Sequence, residues 1–168
     1  GSEGLATGLD AGPTTIEATL GAITGSTGLT VTPAELVSIF VTPADSSVAD
    51  GNSLQYTAIG TYTDGSTSNI TTTVTWSSTN AAIATISNSA GSEGLATGEE
   101  VGAAKITATS GTVSDTTNIT VTAPVLVSIE INPLDGSIPN GNTLQYTAIG
   151  NYSDGSSCLL YTSPSPRD

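Results

Sequence analysis

The feature that most constrains the fold of this chain is an internal repeat with a period of 90 residues. The octet Gly1–Gly8 returns without change as Gly91–Gly98. The run Leu54–Gly60 returns, at the same offset, as Leu144–Gly150. Self-similarity at a fixed period of this length indicates that the chain is a tandem array of one structural unit.

Comparison of whole segments places the boundaries of the array. Residues 1–35 match residues 91–125 at 17 of 35 positions, and residues 36–67 match residues 126–157 at 20 of 32 positions, without a gap. We therefore predict one complete repeat and two partial ones. The predicted segments are 1–35, the C-terminal part of a first repeat; 36–125, a complete repeat; and 126–157, the N-terminal part of a third.

The pattern within the complete repeat predicts an all-β fold. In Ser53–Tyr62 the apolar residues alternate, and the run ends at Asp64-Gly65, a dipeptide favoured in tight turns. No stretch of ten or more residues shows helical spacing of apolar residues. About seven strands in 90 residues are typical of an immunoglobulin-like β-sandwich. The predicted strands are Leu36–Thr42, Ser53–Tyr62, Thr72–Ser77, Ile83–Ser87, Gly94–Thr97, Ala103–Thr109 and Val113–Thr122.

Alternation along these strands also predicts the core. The residues expected to point inward are Leu54, Tyr56, Val74, Trp76, Ile86, Leu95, Ile106 and Val121. Threonine is expected on the outward faces because it is both β-branched and polar.

Several motifs of the repeat carry a resemblance to a known family. They occur in a fixed order, and they include Leu36–Pro43, Tyr62–Ser66, Val74–Ser78, Ile83–Ser87, Gly94–Gly98 and Ile106–Ser110. In these motifs the repeat resembles the bacterial immunoglobulin-like domain, group 2, of invasin- and intimin-type adhesins and phage tail proteins. The resemblance covers nearly all of residues 1–157, with a slightly longer loop at residues 88–93. It implies a structural and adhesive module on a cell surface or virion, with no catalytic residues to carry over.

The last eleven residues, 158–168, break the composition abruptly. They contain the sole cysteine, Cys158, and the sole arginine, Arg167. The run resembles the translation of a transposon-end adapter used in sequencing libraries, so we interpret it as a non-native tail and leave it out of the fold. On this interpretation Cys158 is neither a nucleophile nor a disulfide partner.

Charge and hydropathy exclude several functions. The net charge of −13, with Lys105 as the only lysine, argues against nucleic-acid binding because phosphates could not be neutralised. The acidic surface favours solubility, or alternatively a calcium-loaded surface, although no Asp-x-Asp-x-Asp loop occurs. We predict no metal site and no cofactor. No apolar run approaches the roughly 18 residues of a membrane span. The sequence does not begin with Met or with a signal-like segment, so we expect the true N-terminus to lie elsewhere.

Individual candidate residues have competing interpretations. Trp76 could stack on a sugar, but its alternation with Val74 predicts a core position. Phe40 aligns with Glu130 of the next copy, which predicts an exposed side chain that could contact another repeat or a ligand. Lys105 could form an isopeptide crosslink, but the first copy has Thr15 at that position.

Other candidates are explained by local structure. Asp64 and Asp154 could bind a cation, although turn geometry already accounts for them. Asn69, Asn118 and Asn151 begin Asn-x-Ser/Thr triplets, which arise easily in a Ser/Thr-rich chain. No histidine and no Gly-x-Ser-x-Gly motif is present, so we predict that the chain is not an enzyme.

The repeats are joined by short linkers. Between the predicted strand end near Val121 and the next strand at Leu126 lie four residues, Thr122–Val125, one of them proline. Such a linker restricts the relative motion of neighbouring repeats. We therefore expect an extracellular spacer stalk whose partners are the neighbouring repeats of the same chain. The alternative is that the repeats themselves bind a cell-surface glycan or receptor through weak multivalent contacts.

Overall fold

The structure, a computed structural model, describes residues 4–162, and all regular secondary structure in that range is β-strand. No helix between residues 4 and 162 has the length and apolarity needed to cross a bilayer. The strands are β1 (Gly12–Leu20), β2 (Ile23–Val31), β3 (Leu36–Thr42), β4 (Ser46–Ala49), β5 (Ser53–Gln55), β6 (Thr57–Tyr62), β7 (Thr67–Asn69), β8 (Thr75–Ser78), β9 (Ala84–Ile86), β10 (Leu95–Gly98), β11 (Gly102–Ser110), β12 (Val113–Thr122), β13 (Leu126–Asn132), β14 (Thr147–Tyr152) and β15 (Ser157–Thr162).

Strands β3 to β12 form an immunoglobulin-like β-sandwich. One layer contains the ladders β3-β6-β7 and β5-β10-β9. Only Tyr56 separates β5 from β6, and its N–H donates to the carbonyl of Gly94 at 2.8 Å, so the two ladders share one extended segment. The other layer is the sheet β4-β12-β11-β8, in which β4 runs parallel to β12 and the remaining pairs are antiparallel. The all-β, immunoglobulin-like prediction is therefore confirmed.

Period-two alternation builds the inner face of each long strand. On β11 the buried residues Ala104, Ile106 and Ala108 alternate with exposed Lys105. Successive side chains of a strand point to opposite faces of the sheet, so one face packs into the core and the other remains in water. Threonines on the outer face pair across strands, as Thr107 and Thr116 do with hydroxyl oxygens 2.9 Å apart.

Two aromatic rings occupy the centre of the core. The rings of Tyr56 and Trp76 lie 6.5 Å apart at 44°, a tilted arrangement that suits aromatic quadrupoles. The indole N–H of Trp76 donates to the carbonyl of Thr71 at 2.9 Å, and the Tyr56 hydroxyl shares a short hydrogen bond with the Ser46 hydroxyl. Burial raises the pKa of Tyr56 above its ordinary value, and the bond to Ser46 opposes that rise. Both rings are therefore buried with their polar atoms paired.

Asn88 holds the backbone of Trp76 in place. Its side-chain oxygen accepts from the Trp76 N–H at 2.7 Å, and its amide donates to the Trp76 carbonyl at 2.9 Å. The side chain thus substitutes for one residue of a neighbouring strand and satisfies backbone groups that would otherwise be unpaired. The segment 88–93, interpreted from the sequence as a loop without effect on the core, therefore begins with a residue that positions the core.

The predicted core is correct at most positions and wrong at Leu95. Tyr56, Val74, Trp76, Ile106 and Val121 are buried, and Leu54 and Ile86 are half-buried against the core. Leu95 is only half-buried and lies outside this cluster, whereas Ala96 is fully buried. The inner face of β10 carries small residues, and at Gly98 the reason is space, because a Cβ there would lie 2.9 Å from the Val121 side chain.

Two short strands were missed by the sequence analysis. These are β4 and β7, of four and three residues. They have no clear alternation because each lies at the edge of a sheet and pairs on one side only. The predicted strand Thr72–Ser77 is also shorter in the structure, where β8 begins at Thr75.

The flanking segments contain strands equivalent to parts of this sandwich. β1 and β2 pair as an antiparallel hairpin, and β13, β14 and β15 form a separate three-stranded sheet. Ile16 is 42% exposed although its equivalent Ile106 is fully buried, and Ile129 is 55% exposed although its equivalent Ile39 is 7% exposed. These side chains are exposed because, within residues 4–162, no second sheet packs against the β1–β2 hairpin or the β13–β15 sheet. The division into one complete and two partial repeats stays a prediction.

The end of the chain departs from the sequence analysis in one respect. Residues 158–162, which we left out of the fold, form most of β15 and pair with β14. The apolar side chains of Leu159, Leu160 and Tyr161 give this stretch a high β-propensity, which explains why it can extend a free sheet edge. Residues 163–168 lie outside the described residues, and the adapter origin of the tail remains an interpretation.

Replacement of Gly94 by alanine tests how closely the chain packs beneath Trp76. A Cβ at Gly94 would lie 2.6 Å from the Tyr56 carbonyl oxygen, and the residue has a φ of +77°. Gly91 has a similar φ of +86° but open space around it. Gly91→Ala should lose about 1–2 kcal/mol from the left-handed backbone alone, and Gly94→Ala roughly 3 kcal/mol or more. Urea unfolding followed by Trp76 fluorescence measures both; equal losses would contradict the packing argument.

Candidate functional site

The aromatic residues proposed as sugar platforms belong to the interior. Trp76 is 2% exposed and Tyr56 fully buried, which confirms the core interpretation of both. Tyr62 is half-buried at the end of β6. Trp76, the residue considered as a sugar platform, therefore has no open ring face.

Phe40 lies on the outer face of β3, as the sequence predicted. Its side chain is 62% exposed, and Glu130, its equivalent, is exposed on β13. The position therefore tolerates either an aromatic ring or a charge. Phe40 is a large exposed apolar side chain on this face, directly opposite the half-buried Ile59 of β6.

The residues considered for covalent modification are all on the surface. Lys105 is exposed on β11 opposite Asn118 of β12, whose side-chain amide donates to Asp45 at 2.6 Å. Asn69 accepts the N–H of Thr71 at 3.0 Å, and Asn151 donates to the hydroxyl of Ser128 at 3.2 Å. Lys105 and Asn118 are therefore cross-strand neighbours, whereas Asn69 and Asn151 lie on other strands, β7 and β14.

The two equivalent aspartates close identical turns. Asp64 accepts the N–H of Ser66 at 2.9 Å, and Asp154 accepts the N–H of Ser156 at the same distance. Hydrogen bonds from these serines lower the pKa of both carboxyl groups below the ordinary value. Within residues 4–162 no group of three or more His, Cys, Asp or Glu side chains is placed to hold a metal ion.

The same turns also bind the linkers between repeats. The N–H of Glu35 donates to the Thr63 hydroxyl at 3.0 Å, and the N–H of Thr63 donates back to the Glu35 carbonyl at 2.9 Å. At the next junction the N–H of Val125 donates to the Ser153 hydroxyl at 3.1 Å, and the N–H of Ser153 donates to the Val125 carbonyl at 2.9 Å. We call this pair of reciprocal hydrogen bonds the linker clamp.

The linker clamp was not predicted from the sequence, although a signal for it exists. A hydroxyl residue follows the tyrosine of each turn, Thr63 in one copy and Ser153 in the other, whereas the linker residues Glu35 and Val125 share nothing. The linker contributes only its backbone, so its side chain is free to vary. The hydroxyl accepts the linker N–H, which explains why a hydroxyl residue occupies both positions.

The clamp shortens each linker. β2 ends at Val31 and β12 at Thr122, so the unclamped residues are Thr32–Ala34 at one junction and Ala123-Pro124 at the other. Each of these segments includes a proline, whose ring fixes φ near −65°. Few rotatable bonds are left between one repeat and the next.

Comparison with known proteins assigns this sandwich to a family. The family model for the bacterial Ig-like domain (group 2) matches residues 36–121. The chain belongs to this family. The match confirms the resemblance seen in the motifs, and it corresponds to β3–β12, the part of the chain in which both layers of the bacterial Ig-like sandwich are present.

A curated relative and several solved structures resemble the chain more broadly. Ice-binding protein 1 of Shewanella frigidimarina is 45% identical over 155 residues, which is 92% of this chain but only 17% of that protein. Domains 4–9 of the surface layer protein SbsC match with a TM-score of 0.51 at 21% identity, covering 91% of this chain and 25% of theirs. The S-layer protein rSbsC(31-844) matches with a TM-score of 0.54 at 21% identity, covering 88% and 20%. At this identity the structural matches show the fold alone.

Substitution of Thr63 tests the linker clamp within the bacterial Ig-like repeat. Thr63→Val keeps the shape of the side chain but removes the acceptor for the Glu35 N–H, whereas Thr63→Ser copies the other junction. We expect Thr63→Val to increase amide exchange at Glu35 by roughly three- to tenfold, because a hydrogen bond contributes about 0.5–1.5 kcal/mol. Exchange at Ile106, in the core, serves as the internal reference. Identical exchange at Glu35 in both variants would rule the clamp out.

Proposed function

We propose that this chain is part of a non-catalytic spacer stalk in a surface-exposed protein. The observation that carries the proposal is the linker clamp, which occurs at two junctions 90 residues apart and uses the backbone of the linker in both. A module that holds its own linker transmits orientation from one repeat to the next. This property suits a spacer.

The path of the chain through the sandwich supports the same function. The chain enters at Leu36, which pairs with Tyr62, and it leaves at Thr122, whose carbonyl accepts the N–H of Asp50 at 2.9 Å. The extended segment Ser53–Tyr62 runs from the exit side to the entry side. Ten residues of strand span roughly 33 Å, so entry and exit lie at opposite ends and each repeat adds length.

The relatives suggest where such a stalk works. One is named an ice-binding protein, and others are surface layer proteins. We infer that the parent protein is extracellular or at the cell surface, and that the repeats space an active part away from an anchor. Location on a virion is the alternative from the family resemblance. The net charge of −13 keeps such stalks apart because like charges repel.

Scattering measurements on the parent array test the spacer proposal. Arrays of two, four and six repeats should show a maximum dimension that rises linearly with repeat number, by roughly 30–40 Å for each repeat. The increment follows from the length of the segment that joins the two ends of the sandwich. A dimension that levels off as repeats are added would mean a compact particle and would exclude a stalk.

A second candidate function is direct binding of a glycan or receptor by the repeats. The observation in its favour is Phe40, a large apolar side chain that is 62% exposed. A glycan array probed with the 168-residue chain tests this function, with Phe40→Glu as the variant because the next copy carries Glu130 at that position. Binding by the chain that is lost in Phe40→Glu would support it, and absence of binding would leave the spacer.

Ice-affinity partition distinguishes a spacer from an ice-binding element. We expect the 168-residue chain to be excluded from a growing ice front to the same extent as a globular protein of its size, with the ice-binding relative of Shewanella frigidimarina as the positive control. The reason is that a spacer holds the binding part but does not itself contact ice. Incorporation of the chain alone would overturn the spacer function for these repeats.

A further inference from the structure

A short loop lies at the exit end of the complete repeat and is held firmly. It joins β4 to β5, and the N–H of Asp50 donates to the Thr122 carbonyl at 2.9 Å. The N–H of Gly51 donates to the Gly98 carbonyl at 3.0 Å, and the N–H of Gly98 donates to the Asn52 carbonyl at 3.0 Å. These bonds tie the loop both to β12, which leads into the linker, and to β10. We call residues 50–52 the exit loop.

The exit loop contacts the turn of the following segment. A Cβ built on Gly51 would lie 3.0 Å from the Cβ of Asp154, 3.3 Å from its Cα and 3.6 Å from its carbonyl oxygen. These three atoms are the nearest neighbours of that position, so the backbone of Gly51 lies directly against Asp154. The two residues are 103 positions apart in the sequence and belong to consecutive repeats.

The contacting turn is as well ordered as the exit loop. Besides the bond from Ser156 to Asp154, the N–H of Tyr152 donates to the Ser156 carbonyl at 2.9 Å, and the N–H of Gly155 donates to the Tyr152 carbonyl at 3.1 Å. The linker clamp at Ser153 fixes the same turn to the incoming chain. Two elements that are each fixed by backbone hydrogen bonds therefore meet at the junction.

The exit loop and the turn that contacts it each occur twice in the chain, 90 residues apart. The exit-loop residues Gly51-Asn52 return as Gly141-Asn142, and the turn Asp64-Gly65-Ser66 returns as Asp154-Gly155-Ser156. Gly141 has a φ of +83°, close to the +75° of Gly51, but no atom within 4 Å of a Cβ there. The two loops thus share a backbone conformation and differ in whether a following turn lies against them.

At the junction before the complete repeat, the turn after β6 also lies beside the preceding segment. Thr63 and Asp64 line an open cleft together with residues 8–11 and Val31 of the segment before the complete repeat. The turn after β6 therefore faces the preceding segment at both junctions. A surface that presents different patches at its two ends makes a head-to-tail contact, which continues along an array without closing.

We propose that the exit loop and the turn after β6 of the next repeat form a head-to-tail docking interface that sets the orientation between consecutive bacterial Ig-like repeats. The partner that fits the exit loop is the Asp-Gly-Ser turn of a following copy. Glycine at position 51 suits this close approach, since a Cβ there would lie 3.0 Å from the Asp154 Cβ and would need a shift of only a few tenths of an ångström. The proposal rests on the spacer function and deepens it by naming the contact that orients the stalk.

Disulfide trapping in the full 168-residue chain tests this interface. The variant Gly51→Cys/Asp154→Cys, with Cys158→Ser to remove the remaining thiol, places two Cβ atoms 3.0 Å apart, so a small outward shift reaches the roughly 3.5–4.5 Å separation of a disulfide. The control is Gly51→Cys/Glu130→Cys/Cys158→Ser, which carries the same glycine replacement. In the control the second cysteine lies on the exposed face of β13, in the same following segment but away from the turn.

The two variants give opposite results for a docked and an undocked chain. In a docked chain the 51–154 disulfide should form at least tenfold faster than the 51–130 disulfide under mild oxidation, measured by mass spectrometry of alkylated samples. In a chain whose segments move freely the two loops, of about 103 and 79 residues, close at similar rates, with the shorter roughly 1.5-fold faster when loop closure scales with the 3/2 power of length. Faster formation of the 51–130 disulfide, or equal rates, would overturn the interface.

The outcome is separable from the test of the spacer function. If trapping fails while the maximum dimension of longer arrays still grows linearly, the repeats form a stalk whose joints are oriented by the linker alone. If trapping succeeds while longer arrays are compact, the interface exists but builds a folded-back assembly. The near-ultraviolet circular dichroism of Trp76 verifies in each variant that the complete repeat is folded.

Discussion

The packing of one indole ring organises the complete repeat. Trp76 lies between the two layers, with its ring N–H bonded to Thr71 and both of its backbone groups bonded to Asn88. A buried polar group without a partner costs about 1–3 kcal/mol, so the ring requires these neighbours in these positions. A Cβ at Gly94 would lie 2.6 Å from the Tyr56 carbonyl oxygen and 3.2 Å from the Trp76 ring, so a side chain has no room there. The core therefore combines two large rings with buried aliphatic side chains such as Ile106 and Ile119, and it needs close approach of the backbone at Gly94.

How much could be predicted from sequence depends on the kind of signal. β3 and β12 were predicted with correct bounds because long strands with one buried face alternate clearly. Leu95 was predicted to point inward, but alternation alone cannot decide which face of a four-residue strand is buried. Asn88 and the linker clamp could not be foreseen, because each depends on a side chain meeting the backbone of a distant segment. The sequence shows a hydroxyl residue at both Thr63 and Ser153, but its role depends on the linker N–H that lies beside it in the structure.

Because the junctions are held mainly by backbone hydrogen bonds, the repeats can differ in sequence and still keep the same junction geometry. The linker clamp and the exit loop are made mostly from N–H and carbonyl groups, with a hydroxyl at one position and glycine at another. Side chains elsewhere in the junctions differ freely, as Glu35 and Val125 do. Thus copies identical at only about half of their positions can present the same ends to each other. The acidic surface adds to this by discouraging contact between repeats of different chains.

The opposite placement of chain entry and exit has a mechanical consequence. Tension along the array enters the sandwich through β3 and leaves through β12, in opposite directions. β12 pairs in parallel with β4 through four successive residues, Ile119 to Thr122. The load therefore acts along the strands and across their hydrogen bonds, so the bonds of the ladder share the force instead of opening one after another. A repeat loaded in shear resists pulling better than a hairpin that is unzipped from its end, so this topology suits a spacer under tension.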